Sequence, residues 1–364
     1  MRPVRFFLRK KGDKLLMPSV YLHLQNGQVL KGHSFGAAVD AIGELVFQTS
    51  VVGYQETFTD PACHGQIVVQ TFPLLGNYGA ISADNLSACH PAGVVCREVC
   101  SVPSNFRCEE TLPAWMEKQG MAGISGIDTR ALTAILREQG SMNALITASP
   151  VLSEEQKAML ANYRVQNAVA AVTTSEAYEK PAVGDARWKA AVLDLGLRCD
   201  LADLLAGSGM ALEVLPASAS IDEILAAGPD ALVLSGGPGD PADNPAVVAN
   251  VKALLGKLPV LGVGLGCQVL ALALGAECEK MHHGHRGGSQ PVKDAVSGRT
   301  LITGQNHGYA VKADTLPAGA QVRFVSANDG SCEGFVMPQM RAMGLQFDLT
   351  AALAAEFCTM LGGN

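Results

Sequence analysis

Residues 258–275, Leu-Pro-Val-Leu-Gly-Val-Gly-Leu-Gly-Cys-Gln-Val-Leu-Ala-Leu-Ala-Leu-Gly, form the stretch richest in chemical meaning. An apolar run ends in closely spaced glycines, and a helix-forming apolar stretch comes next, which reads as strand, sharp turn, helix. Such an elbow lifts one side chain clear of a sheet and aims the first N–H groups of the helix at it, as a nucleophile requires. Gly262 and Gly266 bracket the elbow, so its apex is residue 264. That residue is glycine, which has no side chain to attack with. Cys267 is the nearest thiol. It falls in the first turn of the elbow helix, where the helix dipole favours a thiolate. Three residues of helix rise about 4.5 Å, so its sulfur is displaced from the apex. Cys267 therefore reads first as a packed thiol, and only second as a replacement nucleophile.

Other residues invite chemical readings. Gly262-Val-Gly-Leu-Gly266 misses a dinucleotide-binding fingerprint by one position, because the third glycine would have to stand at Cys267. His282, His283 and His285 have the look of metal ligands. His307 offers an imidazole. Asp348 offers a carboxylate, a poor proton acceptor near neutral pH unless its pKa is raised.

The elements that must position these groups fall into two styles. Residues 19–25 alternate as a strand, Asn26-Gly27 turns, and Gln28–Phe35 returns. Glu44–Ser50 and Gln66–Pro73 continue the β pattern, and residues 109–120 and 128–139 read as helices, the second capped at Asp128. From Trp188 strands and helices alternate: strands at 190–195, 211–216 and 231–235, helices at 201–208, 221–227 and about 245–256. Repeating β-α units imply a largely parallel sheet with ligand loops at the strand carboxyl ends. The expected division is a tail over 1–18, a β-rich domain over 19–149, a connection over 150–187 and an α/β domain over 188–364.

The chain has 364 residues, 48% hydrophobic and 17% charged, which suits a two-domain globular protein. A net charge of −7 argues against a general nucleic-acid binder. No apolar run reaches the roughly 20 residues a membrane helix needs. Ten cysteines without a CxxC pair favour reduced thiols and a cytoplasmic setting. Met1–Lys14 is basic with Phe6, Phe7 and Leu8 interspersed; it reads as a solvated tail, with organelle targeting as the alternative.

Four segments of the second half resemble a class I glutamine amidotransferase domain: Leu234-Ser-Gly-Gly-Pro-Gly-Asp-Pro241, the elbow at 262–268, Gly284-His-Arg-Gly-Gly288 and Gln305-Asn-His-Gly-Tyr-Ala-Val311. Gly53-Tyr-Gln-Glu-Thr-Phe-Thr-Asp-Pro61, Pro103-Ser-Asn-Phe-Arg107 and Gly126-Ile-Asp-Thr-Arg130 narrow the resemblance to the small subunit of carbamoyl-phosphate synthetase. The resemblance spans about residues 19–347. It implies a β-rich N-terminal domain plus a doubly wound, mostly parallel-sheet amidotransferase domain. It also implies hydrolysis of glutamine through a cysteine thioester. The ammonia then passes to a large subunit that uses ATP, magnesium and bicarbonate to make carbamoyl phosphate for arginine and pyrimidine synthesis; no cofactor is expected on this chain itself.

By the same resemblance, Gly237 and Leu265 supply the oxyanion N–H groups. Ser50, Gly239, Gln268, Asn306, Gly308 and Tyr309 match positions that hold L-glutamine, and the Gly-His loop at 284–285 carries no metal. The catalytic positions differ. Where the family reads Gly-Ile-Cys-Leu-Gly-His-Gln, this chain reads Gly262-Val-Gly-Leu-Gly-Cys-Gln268, so Gly264 replaces the nucleophile. Where the family has Gln, an aromatic residue or Gly, then His-Pro-Glu, this chain runs from Gln346-Phe347 into Asp348-Leu-Thr, and the His-Pro-Glu segment reads as deleted. Loss of nucleophile and base costs on the order of a millionfold in a serine hydrolase. The expected result is a small subunit whose glutaminase is impaired or absent and whose complex depends on free ammonia. The alternatives are a non-catalytic glutamine-binding or scaffolding pseudosubunit and a drifting gene copy.

Overall fold

A computed structural model describes residues 9–11, 14–16, 18–88 and 91–362. Most of the basic tail therefore lies outside the described residues; within it, Arg9–Lys11 pairs antiparallel with Lys14–Leu16. The chain divides into two compact units, Met1–Gln166 and Asn167–Asn364.

The first unit is a closed barrel. Its strand order is Ala122–Ser125, Val29–Gly36, Ser19–Leu24, Met142–Thr147, Ala41–Gln48, Gln66–Gln70 and Gly93–Val95, which returns to the first strand. The Asn26-Gly27 turn forms as its sequence requires, with Gly27 at φ +89°, a conformation only glycine adopts freely. Alternate residues such as Leu22, Leu24, Leu45, Ile67, Val95 and Ile124 share one apolar core. Two helices, Leu112–Lys118 and Thr129–Gln139, start where Thr111 and Asp128 accept from backbone N–H groups in the first turn.

The second unit carries a ten-stranded sheet. Its five central strands are parallel, in the order Met210–Pro216, Trp188–Asp194, Ala231–Leu234, Val260–Val263 and Ala342–Leu345. The rest is antiparallel. Tyr178–Lys180 edges one side, and Cys332–Met337, Thr300–Val311, Cys278–Asp294 and Gln321–Ser326 extend the other. The sheet is thus less parallel than the β-α repeat implied. Parallel neighbours need a crossover, and after the elbow helix Leu265–Ala273 no α-helix intervenes until Ala351–Leu361, so consecutive strands pair as hairpins.

Both faces of this sheet are covered. Residues pointing one way, including Ala191 and Leu193, pack under Pro245–Leu254 and the elbow helix; those pointing the other way, including Ala190 and Val192, pack under Cys199–Gly207 and the terminal helix. The stretch 150–187, expected as a connection, is largely structured. Glu154–Asn162 starts on a Ser153/Gln156 capping box and belongs to the barrel unit, while Ala168–Val172 and the edge strand belong to the sheet unit.

Candidate functional site

The elbow has the shape its sequence requires. Val260–Val263 is wholly buried, and Gly264 comes next at φ +55°, ψ −117° as the cap of the elbow helix. Its N–H donates to the Leu345 carbonyl at 2.7 Å, and Gly266 N–H donates to Ser235 O at 3.0 Å. A Cβ at Gly262 would collide with the Gly266 carbonyl, and one at Gly266 with the Leu234 carbonyl. Both glycines let strand and helix approach closely. Gly264 differs, because the nearest atom to a Cβ there would be Gly236 Cα at 3.4 Å. The apex has space for a side chain and carries none.

The oxyanion pair expected from the sequence sits beside it. Leu265 is the first residue of the elbow helix, whose leading N–H groups have no acceptor within the helix. A Cβ on Gly237 would lie 3.0 Å from Leu265 Cδ2 and would overlap the Leu195 carbonyl. Gly239 has φ +88°, and its Cβ position is 2.8 Å from Ala168 Cβ. The segment 236–241 therefore holds its glycines for backbone approach.

Cys267 is fully buried in the apolar core shared by the elbow helix and the sheet. Burial pushes its thiol well above the ordinary cysteine value, and Cys332, Cys278 and Glu333 push the same way. A thiol held neutral inside the core is poorly placed to replace the missing nucleophile.

The C-terminal strand passes from Gln346 into a short, well-tied connection. Phe347 bridges to Gln305 and stacks edge-on against Phe324 at 5.1 Å. Asp348 N–H donates to Gly304 O at 2.9 Å, and Arg198 Nη1 donates to Asp348 Oδ1 at 2.8 Å. Thr350 then caps the terminal helix, its hydroxyl accepting from Leu353 N–H. An aspartate paired with arginine thus stands directly after the Gln-aromatic pair, and the helix begins three residues later.

The long hairpin carries the remaining polar groups. Asn306, Gly308 and Tyr309 lie on Thr300–Val311. The Tyr309 carbonyl accepts from three side chains: Gln268 Nε2 and Gln346 Nε2 at 3.0 Å, and His307 Nδ1 at 2.9 Å. Behind His307 lies a buried cluster. Glu333 Oε1 accepts from His285 Nδ1 at 2.9 Å, and Glu333 Oε2 lies 3.3 Å from His307 Nε2. The second contact is close but is not an aligned hydrogen bond. His285 Nε2 meets Asp329 Oδ2 at 2.9 Å, and Ser331 Oγ lies within hydrogen-bond distance of both acids.

The electrostatics reflect these contacts. Burial raises Glu333, but the hydrogen bond from His285 and the two imidazoles beside it overcome that and hold the carboxyl at about 2. Burial lowers His285, and Glu333 and Asp329 together raise it above the ordinary histidine value. Among the described residues, His285, His307 and Glu333 form the group whose donor atoms, within 4.8 Å of one another, could hold a cation. His285 Nδ1 is already bonded to Glu333 Oε1. His282 and His283 stay out of the cluster; His283 Nδ1 is 2.9 Å from the Gly284 carbonyl. Ser50 belongs to the barrel unit, just beyond Ala41–Gln48, with its Oγ 3.5 Å from Gln48 Oε1.

Sequence reasoning missed Glu333 and Gln346 as site residues. The available signal was an acid two residues after a Gly-Ser turn, but nothing in the spacing joins 333 to 285 and 307.

A doubly wound sheet with this elbow, glycine loop and hairpin defines a class I glutamine amidotransferase domain, and the sequence model of that class matches residues 191–348. The model of the carbamoyl-phosphate synthase small chain, CPSase domain, matches residues 22–146 in the barrel unit. The carbamoyl phosphate synthase small chain of Clostridium perfringens is 41% identical over 328 residues, 90% of this chain and 92% of that protein. Those of Caldanaerobacter subterraneus and Bacillus caldolyticus are 40% and 39% identical, over 90% and 92% of this chain and the same shares of their own lengths. The chain belongs to the carbamoyl-phosphate synthase small chain family.

Proposed function

We propose that this chain is a small subunit that keeps the glutamine-holding residues and has lost glutamine hydrolysis. One observation carries the reading: the elbow apex has room and geometry for a nucleophile, and glycine occupies it. Thioester chemistry needs a thiolate at that point, a histidine to move protons, and a carboxylate to orient it. Gly264 removes the first. Asp348, tied to Arg198, follows Gln346-Phe347 directly, where the family's His-Pro-Glu segment reads as deleted. Cys267 is sealed in the core.

What the remaining residues do is bind and orient. Gly237 and Leu265 N–H groups would face the amide oxygen of L-glutamine. Gln268, Asn306, Gly308, Tyr309 and Gly239 would hold the rest of it, and Ser50, in the barrel unit, matches a further holding position. The partner is a large subunit carrying the ATP, magnesium and bicarbonate chemistry, in the cytoplasm, for arginine and pyrimidine synthesis. Free ammonia would then be the nitrogen source.

The test is carbamoyl phosphate synthesis by this chain with its cognate large subunit, given glutamine or ammonium chloride. Activity with ammonium and background activity with glutamine supports the reading. Robust glutamine-dependent synthesis defeats it. The second reading, a scaffolding pseudosubunit, is favoured by the intact Gln268–Tyr309–Gln346 contacts. It predicts glutamine binding by calorimetry with no effect of this chain on ammonia-dependent synthesis.

A further inference from the structure

We propose that Glu333 is a positioning residue for the Asn306–Tyr309 strand segment, acting through His307 and Gln346 on the Tyr309 carbonyl. The proposal rests on the reading of that segment as glutamine-holding, and it adds a residue that reading did not contain.

His307 Nδ1 is 2.9 Å from the Tyr309 carbonyl, so that nitrogen must donate. His307 Nε2 then faces Gln305 Oε1 and Glu333 Oε2, each at 3.3 Å, and both are acceptors. His285 lies between two carboxylates, Glu333 on Nδ1 and Asp329 on Nε2. Every ring nitrogen in the cluster thus faces an acceptor. Glu333 meets both rings with its two carboxylate oxygens: Oε1 accepts from His285 Nδ1, and Oε2 lies against His307 Nε2.

Glu333 is completely buried, so water cannot take the place of its histidine partners. Its strand, Cys332–Met337, pairs with Ala342–Leu345, and its carbonyl accepts from Gln346 N–H at 2.9 Å. The same residue therefore reaches the Tyr309 carbonyl by two routes: its side chain through His307, and its backbone through Gln346, whose Nε2 is a second donor to that carbonyl. The third donor, Gln268, comes from the elbow helix. One carbonyl thus joins the hairpin, the C-terminal strand and the elbow, and Glu333 stands behind two of its three donors. Replacing the carboxylate by an amide keeps one acceptor and puts an N–H where the second stood, so one of the two rings loses its acidic partner. A buried network with one wrong donor loses more than that one bond.

The test is Glu333→Gln in the full-length chain, read by amide hydrogen exchange over 300–311 and by glutamine calorimetry. Met337→Ala, a buried apolar change on the same strand, controls for general loosening. The expected result is at least tenfold faster exchange at Asn306–Tyr309, and at least tenfold weaker glutamine binding, both beyond any change in M337A. If E333Q does not fold, His307→Gln removes the ring between Glu333 and the Tyr309 carbonyl and is read identically. Exchange at Asn306–Tyr309 unchanged, or changed no more than in M337A, overturns the proposal. If the wild-type chain binds no glutamine but E333Q still speeds exchange at Asn306–Tyr309, the positioning role stands and the glutamine-holding reading fails.

Discussion

At Gly264 the proposed loss of hydrolysis begins with one absent side chain. The backbone there, φ +55° and ψ −117°, is a conformation that strains any residue with a Cβ, by about 1–3 kcal/mol. Glycine removes that strain, so the fold bears the absence of a nucleophile without cost. Gly264→Ala should therefore lower unfolding free energy by about 1–3 kcal/mol in urea, although the site has space for the methyl group. Gly264→Cys should present a thiol to iodoacetamide that Cys267 does not, because Cys267 is sealed in the core. It should still fail to hydrolyse glutamine, since no histidine stands at 348. Mass spectrometry of the alkylated chain and a glutaminase assay check both halves. The buried histidine cluster makes a second prediction at this scale. His285 has its pKa raised on folding, so its stabilisation is complete below about pH 6.5 and is lost as pH rises through the folded value. Glu333, held at about 2 against an ordinary 4.5, stabilises above about pH 4.5 and loses that contribution as pH falls toward 2. The urea midpoint should thus be highest between about pH 4.5 and 6.5 as far as this cluster decides it. It should fall on either side, and E333Q should flatten both limbs.

At the scale of elements, the elbow depends on how closely its helix approaches the strand behind it. Gly262→Ala would drive a methyl group into the Gly266 carbonyl, which no rotamer relieves because both atoms are tied to the backbone. Such overpacking costs about 1–3 kcal/mol, and the elbow helix must shift to accept it. Denaturation of G262A should show that loss, and glutamine binding should weaken with it, because Leu265 and Gln268 ride on the same helix. The Arg198–Asp348 pair should matter less. Its side chains are 21% and 48% exposed, so Asp348→Asn should cost under about 1 kcal/mol, with the loss shrinking further in high salt. A larger loss would mean that the pair carries the short connection into the terminal helix by itself.

At the scale of the whole molecule, two units with separate cores carry separate parts of the family's design. The barrel marks the family, and the sheet unit carries the elbow. A subunit that cannot release ammonia from glutamine leaves its complex to use ammonia directly. The expected outcome is glutamine-dependent carbamoyl phosphate synthesis at or near background, by analogy with the roughly millionfold cost of losing nucleophile and base, beside measurable ammonium-dependent synthesis. A coupled assay on the reconstituted complex checks it.

Much was legible in the order of residues alone. The Asn26-Gly27 hairpin, the cap at Asp128, the β-α alternation from Trp188 and the elbow at 262–266 are local patterns, each set by neighbours a few residues apart. Gly264 and the run from Gln346 into Asp348 could likewise be read directly, so the proposal of lost hydrolysis starts from sequence alone. Tertiary structure decided what depends on distant partners. It decided that half the large sheet is antiparallel, because hairpins replace crossovers after Ala273. It decided that Cys267 faces the core, which a helical position in sequence leaves open. It decided that His285 and His307, but not His282 or His283, meet Glu333, since residues 285, 307 and 333 come together only when three strands take their register.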